Sequence, residues 1–276
     1  MINEVPKSEF GLIGGSSTFS VEFPEAVGAP KVVVHNAEEV YDTPFGQSPP
    51  FKLFSVAGRR VLTCKMHGWR SGVTRADASR QVFWVFQQAG VKRVLAEGGV
   101  GAINHLLKPR DLVVPNDYID FSMRKDVSLG EPCLLVMREA LCPEMRRCLC
   151  SEAKQVGARR VFDRGVYVVT DGRHFESPAE VGMFRLSGGD IVGQSLCPEV
   201  YLAREIGACY ARLDMVVNYA EGVVKDWEHE ELKEIFYNES VTIGRILLNT
   251  IAGLPVENVC DCSNLRKPTL LKESGR

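Results

Sequence analysis

Along the 276-residue chain the apolar positions switch between two periods. Short apolar runs that end in glycine or polar residues predict buried strands over 10–13, 31–35, 92–96, 112–115, 165–170, 191–193 and 209–217. Two further runs, 51–56 and 61–66, flank Gly58-Arg59-Arg60 and predict a hairpin. Helical spacing covers 75–89, where Ala78, Val82, Phe83, Val85 and Phe86 form one stripe that stops at Gly90, with Trp84 packing on its flank. It returns over 139–156, interrupted near Pro143, and over 177–186, with Ser177 as the cap and Pro178 at the first position. Two more helices are expected over 198–206 and 227–251, the second interrupted at most by Gly244. Residues 43–50 read as a rigid loop and 121–126 as a mixed one, while the stretch after Pro255 has no period. Strands alternating with helices predict one α/β domain over 1–276, a mixed central β-sheet flanked by helices, with 255–276 as an irregular tail.

Composition narrows the function more than the fold. Apolar residues make up 45% of the chain, ample for a sizeable core. Lysines and arginines (33) nearly balance aspartates and glutamates (35), leaving −2 and no long like-charge run. This disfavours nucleic acid and anionic membranes as partners and fits a small polar or anionic metabolite. No apolar run approaches the ~20 residues of a membrane span. The start, Met1-Ile-Asn-Glu-Val-Pro, lacks the basic and apolar regions of a signal peptide. Nine cysteines cannot all pair, so a reducing cytoplasm is expected. The close pairs Cys148-Leu-Cys150 and Cys260-Asp-Cys262 have no second pair or histidine at zinc-finger spacing, so no metal is expected. A redox or stapling role stays open for Cys260 and Cys262.

Candidate chemistry gathers at strand ends, where open α/β sheets place their ligands. Asp171-Gly-Arg-His-Phe-Glu-Ser-Pro offers His174 and Glu176, Val192-Gly-Gln-Ser offers Gln194 and Ser195, and Leu213-Asp-Met-Val-Val-Asn offers Asn218. Phe10-Gly-Leu-Ile-Gly-Gly-Ser-Ser17 is a strand that stops at two glycines and two hydroxyls, and it reads either as an anion cradle or as a tight turn. Its spacing matches neither G-x-G-x-x-G nor the Gly-Lys-Ser/Thr loop. His67-Gly-Trp-Arg-Ser-Gly72 is a second loop with a positive end.

In order along the chain, Gly11-Leu-Ile-Gly-Gly-Ser16, Thr43-Pro-Phe-Gly46, Met66-His-Gly68, Val100-Gly-Ala102 and Lys108-Pro-Arg-Asp-Leu-Val-Val-Pro115 are followed by Phe175-Glu-Ser-Pro-Ala-Glu180, Val192-Gly-Gln-Ser-Leu-Cys-Pro-Glu-Val200 and Asn218-Tyr-Ala-Glu-Gly222. Together they resemble the trimeric purine nucleoside phosphorylase and methylthioadenosine phosphorylase superfamily, over about residues 10 to 252. The resemblance implies a nucleoside phosphorylase-like fold and attack of inorganic phosphate, the co-substrate, on C1′ of a purine nucleoside. It implies no metal and no organic cofactor, and a homotrimer in which a neighbour's loop, near Phe121, helps to close each pocket. By resemblance Glu176 and Asn218 are the catalytic and base-reading pair, with Phe175 stacking on the base. A glutamate with an amide suits the N1–H, O6 and N7 edge of a 6-oxopurine, inosine or guanosine, whereas an aspartate at 218 would suit a 6-amino purine. Ser16, His67, Arg70 and Ser195 are the expected phosphate ligands, and Gln194 and His229 the expected ribose ligands. His229 resembles the histidine that meets a sugar 5′-hydroxyl; the alternative is a solvated residue in an acidic helix start.

The departures fall on the anion. Met66 and Trp69 stand where the family carries its phosphate arginine, which leaves Arg70 as the neighbouring cation. Gly98 replaces a common hydroxyl residue, Glu97 adds a negative charge, and Gln194 replaces the usual methionine against the sugar. Methylthioinosine or methylthioadenosine phosphorolysis and nucleoside hydrolysis are therefore the alternatives, with a non-catalytic nucleoside-binding protein as a third class.

Overall fold

The computed structural model describes residues 4–269 apart from 30, 37, 158 and 258. Eleven strands form one sheet. In chain order they are β1 (Phe10–Ile13), β2 (Val32–Val34), β3 (Phe51–Val56), β4 (Arg59–Cys64), β5 (Arg93–Ala102), β6 (Leu112–Val113), β7 (Asp117–Asp120), β8 (Val161–Phe162), β9 (Val166–Val169), β10 (Ile191–Gly193) and β11 (Cys209–Tyr219). The main path runs β8-β6-β11-β5-β1-β4-β3-β2, and β9 joins it through β10, which pairs with the end of β5. The core of the sheet is parallel: β11 on β5, β5 on β1 and β1 on β4. Antiparallel strands lie towards the margins, so the sheet is mixed, as expected.

The helices are α1 (Ser16–Phe19), α2 (Arg75–Ala89), α3 (Pro143–Val156), α4 (Pro178–Leu186), α5 (Leu196–Glu205) and α6 (His229–Gly253). The apolar faces of α2 and α5 pack on one side of the sheet, with Val82, Phe83, Phe86, Leu196 and Val200 fully buried. Those of α3 and α6 pack on the other, through Met145, Leu149, Ile243, Ile246 and Leu247. Each fully buried side chain of this size contributes roughly 1.5–3 kcal/mol. From Cys209 to Val217, strand β11 alternates between the two layers. Cys209, Ala211, Leu213, Met215 and Val217 face α3 and α6, and Tyr210 and Val216 face α2 and α5.

Four expectations are corrected. The strand expected over 92–96 runs on to Ala102 as β5, because neighbouring side chains fill the space its glycines leave; a Cβ on Gly98 would stand 2.7 Å from Arg212 Nη2. Pro143 starts α3 rather than interrupting it, since its missing N–H is harmless at the first position of a helix. Helix α5 begins at Leu196 and kinks at Cys197, just ahead of Pro198, where a proline disfavours helical backbone. The tail is not wholly irregular: Arg266–Pro268 pairs antiparallel with Cys133–Leu135. Residues 270–276 of the expected irregular tail lie outside the described residues. Among the described residues no helix is long and apolar enough to cross a membrane.

Candidate active site

A cavity of about 370 Å³ opens where β5, β10 and β11 end, under the start of α6. Ser16, His67, Phe175, Glu176, Gln194, Ser195 and Asn218 all line it, although up to 202 positions of chain separate them. The register of β11 on β5 shifts between Val216 and Asn218. A bulge re-aims the side chains beyond it, and here Val217 and Asn218 both reach the cavity wall.

At one end the polar groups are fixed but not used up. Glu176 is 5% exposed, and its Oε1 accepts a 2.5 Å hydrogen bond from Thr170 Oγ1. Asn218, also 5% exposed, donates one N–H to the Tyr219 carbonyl at 2.7 Å. Among the described residues the second carboxylate oxygen of Glu176 and the remaining N–H and carbonyl oxygen of Asn218 have no such duty. Glu176 directly precedes Ser177, the cap of α4, which forms a reciprocal capping box with Glu180 that holds the turn. Phe175 is half exposed at the mouth, its ring 4.7 Å from Trp227, whose Nε1 donates to Glu221. Thr170 and Trp227 went unsuspected in the sequence, since neither type signals such a role by itself.

The other end is built differently. Met66, His67 and Gly68 are consecutive left-handed residues, with φ of 49°, 55° and 72°. For the first two this backbone costs on the order of 1 kcal/mol each. The turn delivers the buried His67 ring, whose Nδ1 lies 2.7 Å from Glu199 Oε1. Tyr210 donates to the other oxygen of Glu199 at 2.7 Å. The carboxylate thereby holds the imidazole with Nε2 turned towards Gly15, the loop at the cavity's lower end. Ser195 accepts from Arg212 Nη2 at 3.1 Å, leaving its own O–H to donate. Arg212 and Asp214 form a fully buried ion pair at 2.6 Å. Burial pushes the Asp214 carboxyl upward, and the Arg212 guanidinium opposes that push.

The glycine loop itself is engaged. Glu97 Oε1 accepts from Gly15 N at 2.6 Å, Thr18 N at 2.9 Å and Thr18 Oγ1 at 2.8 Å. An internal carboxylate therefore takes backbone donors that an anion cradle would offer its ligand. Glu97 is 1% exposed, and its Oε2 has no hydrogen-bond partner among the described residues.

Two expected ligands are not brought into the cavity. Arg70 turns away: its guanidinium donates to the Gly68 carbonyl, to Gln81 Oε1 and to the Gln47 carbonyl, tying the 43–50 loop to α2. His229 is exposed at the first position of α6 and stays outside the cavity wall, which that helix reaches instead through Leu232 and Phe236. Gln194 does line the wall, but its amide oxygen accepts from Arg75 at 2.8 Å and its Nε2 donates to the His174 carbonyl. Gly172 makes room for it, with φ of 73° and a Cβ position only 1.9 Å from the amide oxygen.

Two arginines line the cavity, the exposed Arg173 and Arg75, which the helical stripe had hidden as an ordinary first residue of α2. Arg75 lies 3.9 Å above the Trp69 ring and donates to the Asp171 carbonyl at 2.6 Å. Burial, and then the nearby Arg124 charge, lower its pKa.

The Phosphorylase superfamily model matches residues 10–252. The chain belongs to this superfamily. It is 34% identical to a probable 6-oxopurine nucleoside phosphorylase of Korarchaeum cryptofilum, over 92% of this chain and 96% of that protein. It is 30% identical to an S-methyl-5′-thioadenosine phosphorylase of Pyrococcus horikoshii, over 94% and 98%. Among solved structures, methylthioadenosine phosphorylase from Schistosoma mansoni in complex with adenine superposes with a TM-score of 0.74 at 26% identity, covering 91% of this chain and 93% of that one. The mixed sheet flanked by helices is thus the fold of this superfamily.

Proposed function

We propose that the protein catalyses phosphorolysis of 6-oxopurine nucleosides, inosine or guanosine, to free base and ribose 1-phosphate. The observation that carries this reading is the pairing of a buried carboxylate, Glu176, with a buried amide, Asn218, on the wall of one cavity. Glu176 accepts the N1–H of a keto-purine with the oxygen that Thr170 leaves open. Asn218 accepts from a protonated N7 and donates to O6. As the C1′–N9 bond breaks, its electron pair moves onto the purine, and hydrogen bonds at N7 and O6 stabilise the charge that develops there. A phosphate oxygen forms the new bond to C1′ from the opposite side of the sugar. Ser16, His67 and Ser195 hold that phosphate, and Arg75 supplies the cation in place of Arg70. Phe175 and Trp227 cover the base. No metal or organic cofactor enters this scheme.

The relatives named as 6-oxopurine nucleoside phosphorylases, at 31–34% identity, support it. One observation favours hydrolysis as a second reading: Glu97 occupies the Gly15 and Thr18 amides on which a phosphate would rest. Base release from inosine with and without phosphate separates the two. Release that rises at least tenfold with phosphate supports phosphorolysis; release unchanged by phosphate supports hydrolysis (tenfold is about 1.4 kcal/mol). We also carry forward a cytoplasmic homotrimer, with the exposed Phe121 and Met123 at the subunit contact. A molar mass of about three chains in light scattering is the expected result.

A further inference from the structure

Far from the cavity, four cysteines from three parts of the chain converge. Cys142 precedes α3, Cys209 opens β11, and Cys260 and Cys262 lie in the tail. Their sulfurs all lie within 4.8 Å of one another, with Cys209 and Cys260 at 3.4 Å. Four thiolates around a zinc ion, with Zn–S bonds of about 2.3 Å, stand about 3.8 Å apart, so these separations bracket a tetrahedral site. Cys142, Cys209 and Cys262 are buried and Cys260 is half-buried, as in a closed structural site.

The surroundings favour negative charge. Cys142 is the N-cap residue of the 14-residue α3 and makes no side-chain capping bond there, so its sulfur sits at the positive end of the helix dipole. Arg204 is 3% exposed, and its guanidinium donates to the Cys262 carbonyl at 2.7 Å and the Glu139 carbonyl at 2.9 Å. Among the described residues no carboxylate pairs with it. A buried cation without a partner carboxylate, docked on one of the four cysteines, matches a site whose charge is negative.

We infer that Cys142, Cys209, Cys260 and Cys262 bind one zinc ion as a tetrathiolate, which fastens the C-terminal tail to the start of β11. This reverses the expectation that the chain holds no metal; spacing along the sequence hid the site because its second pair of ligands is split between Cys142 and Cys209. Binding one Zn²⁺ to four thiols releases four protons and leaves a site of charge −2. The strand that starts at Cys209 reaches Asn218 about 30 Å further on at ~3.3 Å per residue, so the ion is structural and takes no part in the reaction.

Protein kept reduced and desalted without chelator should carry one zinc per chain by mass spectrometry of the metal. Replacing zinc with Co²⁺ should give the visible bands of tetrahedral thiolate coordination. The double variant Cys260→Ser/Cys262→Ser should carry no zinc and melt about 5 °C or more below the parent, with base release within about twofold. Should that variant not fold, the zinc count and cobalt spectrum of the parent still decide. Reduced parent protein that holds no zinc and takes none up, or an intact mass short of the all-thiol value by two pairs of hydrogens, would overturn the assignment.

Discussion

The two ends of the cavity obey opposite rules. At the base end, Glu176 and Asn218 each spend one hydrogen bond on protein, to Thr170 and Tyr219, and keep the rest for a ligand. At the anion end, the Gly15 and Thr18 amides are spent on Glu97, and His67 and Ser195 are held by Glu199 and Arg212, which leaves His67 Nε2 and the Ser195 O–H to face a ligand. In the proposed reaction the open atoms of Glu176 and Asn218 pair with the purine, so the wrong purine would leave buried groups unpaired. The anion end has its loop amides engaged by protein, while Glu97 Oε2 and Ser17 Oγ stay without a hydrogen-bond partner among the described residues. The proposed function thus predicts a specificity for the base that is firmer than the affinity for phosphate.

Substitutions at each end should show this asymmetry. The largest effect is expected from Glu176→Gln, which replaces a carboxylate acceptor with a neutral amide. The kcat/KM for inosine should fall by roughly 100-fold, on the scale of about 2–4 kcal/mol for losing a charged hydrogen bond. A loss equal for inosine and adenosine would show that Glu176 does not read the base. Asn218→Asp comes next: the inosine-to-adenosine ratio of kcat/KM should drop by at least about tenfold, because an aspartate accepts from a 6-amino group and repels O6. Parallel losses on both nucleosides would remove Asn218 from the purine edge.

Glu97→Gln probes the anion end. The amide oxygen can still accept from the loop while the negative charge is gone, so the KM for phosphate should fall by about threefold, a gain of less than 1 kcal/mol. A KM that rises would show that the carboxylate organises the loop for phosphate instead of competing with it. The smallest kinetic effect belongs to Arg70→Ala, which should leave the phosphate KM within about twofold of the parent. The melting temperature should drop by about 2–4 °C, because the bridge between the 43–50 loop and α2 is lost.

Legibility in the sequence follows the same division. Strands and helices with a clean period, such as Arg75–Ala89, Pro178–Leu186 and Ile191–Gly193, were read to the residue or nearly so. The polar residues at the ends of β9, β10 and β11 stood out because nothing local needed them. The extension of β5 through Gly98 and Gly99 was hidden because Arg212 and Phe236, distant in sequence, fill the missing side-chain volume. The engagement of Glu97 with the Gly15 loop, 82 positions apart, has no sequence signal, and neither has the turning away of Arg70, which depends on Gln81 and the Gln47 carbonyl. Arg75 looked like any helix-opening residue until Trp69 and Gln194 were placed beside it. Local patterns disclosed which groups end a strand; only packing disclosed which of them remain free.

The most direct test is the ratio of kcat/KM for inosine to that for adenosine, measured with the unmodified protein in one phosphate buffer. A carboxylate and an amide reading one keto-purine edge predict a ratio of about 100 or more in favour of inosine. A ratio near one, or a preference for adenosine, would contradict it.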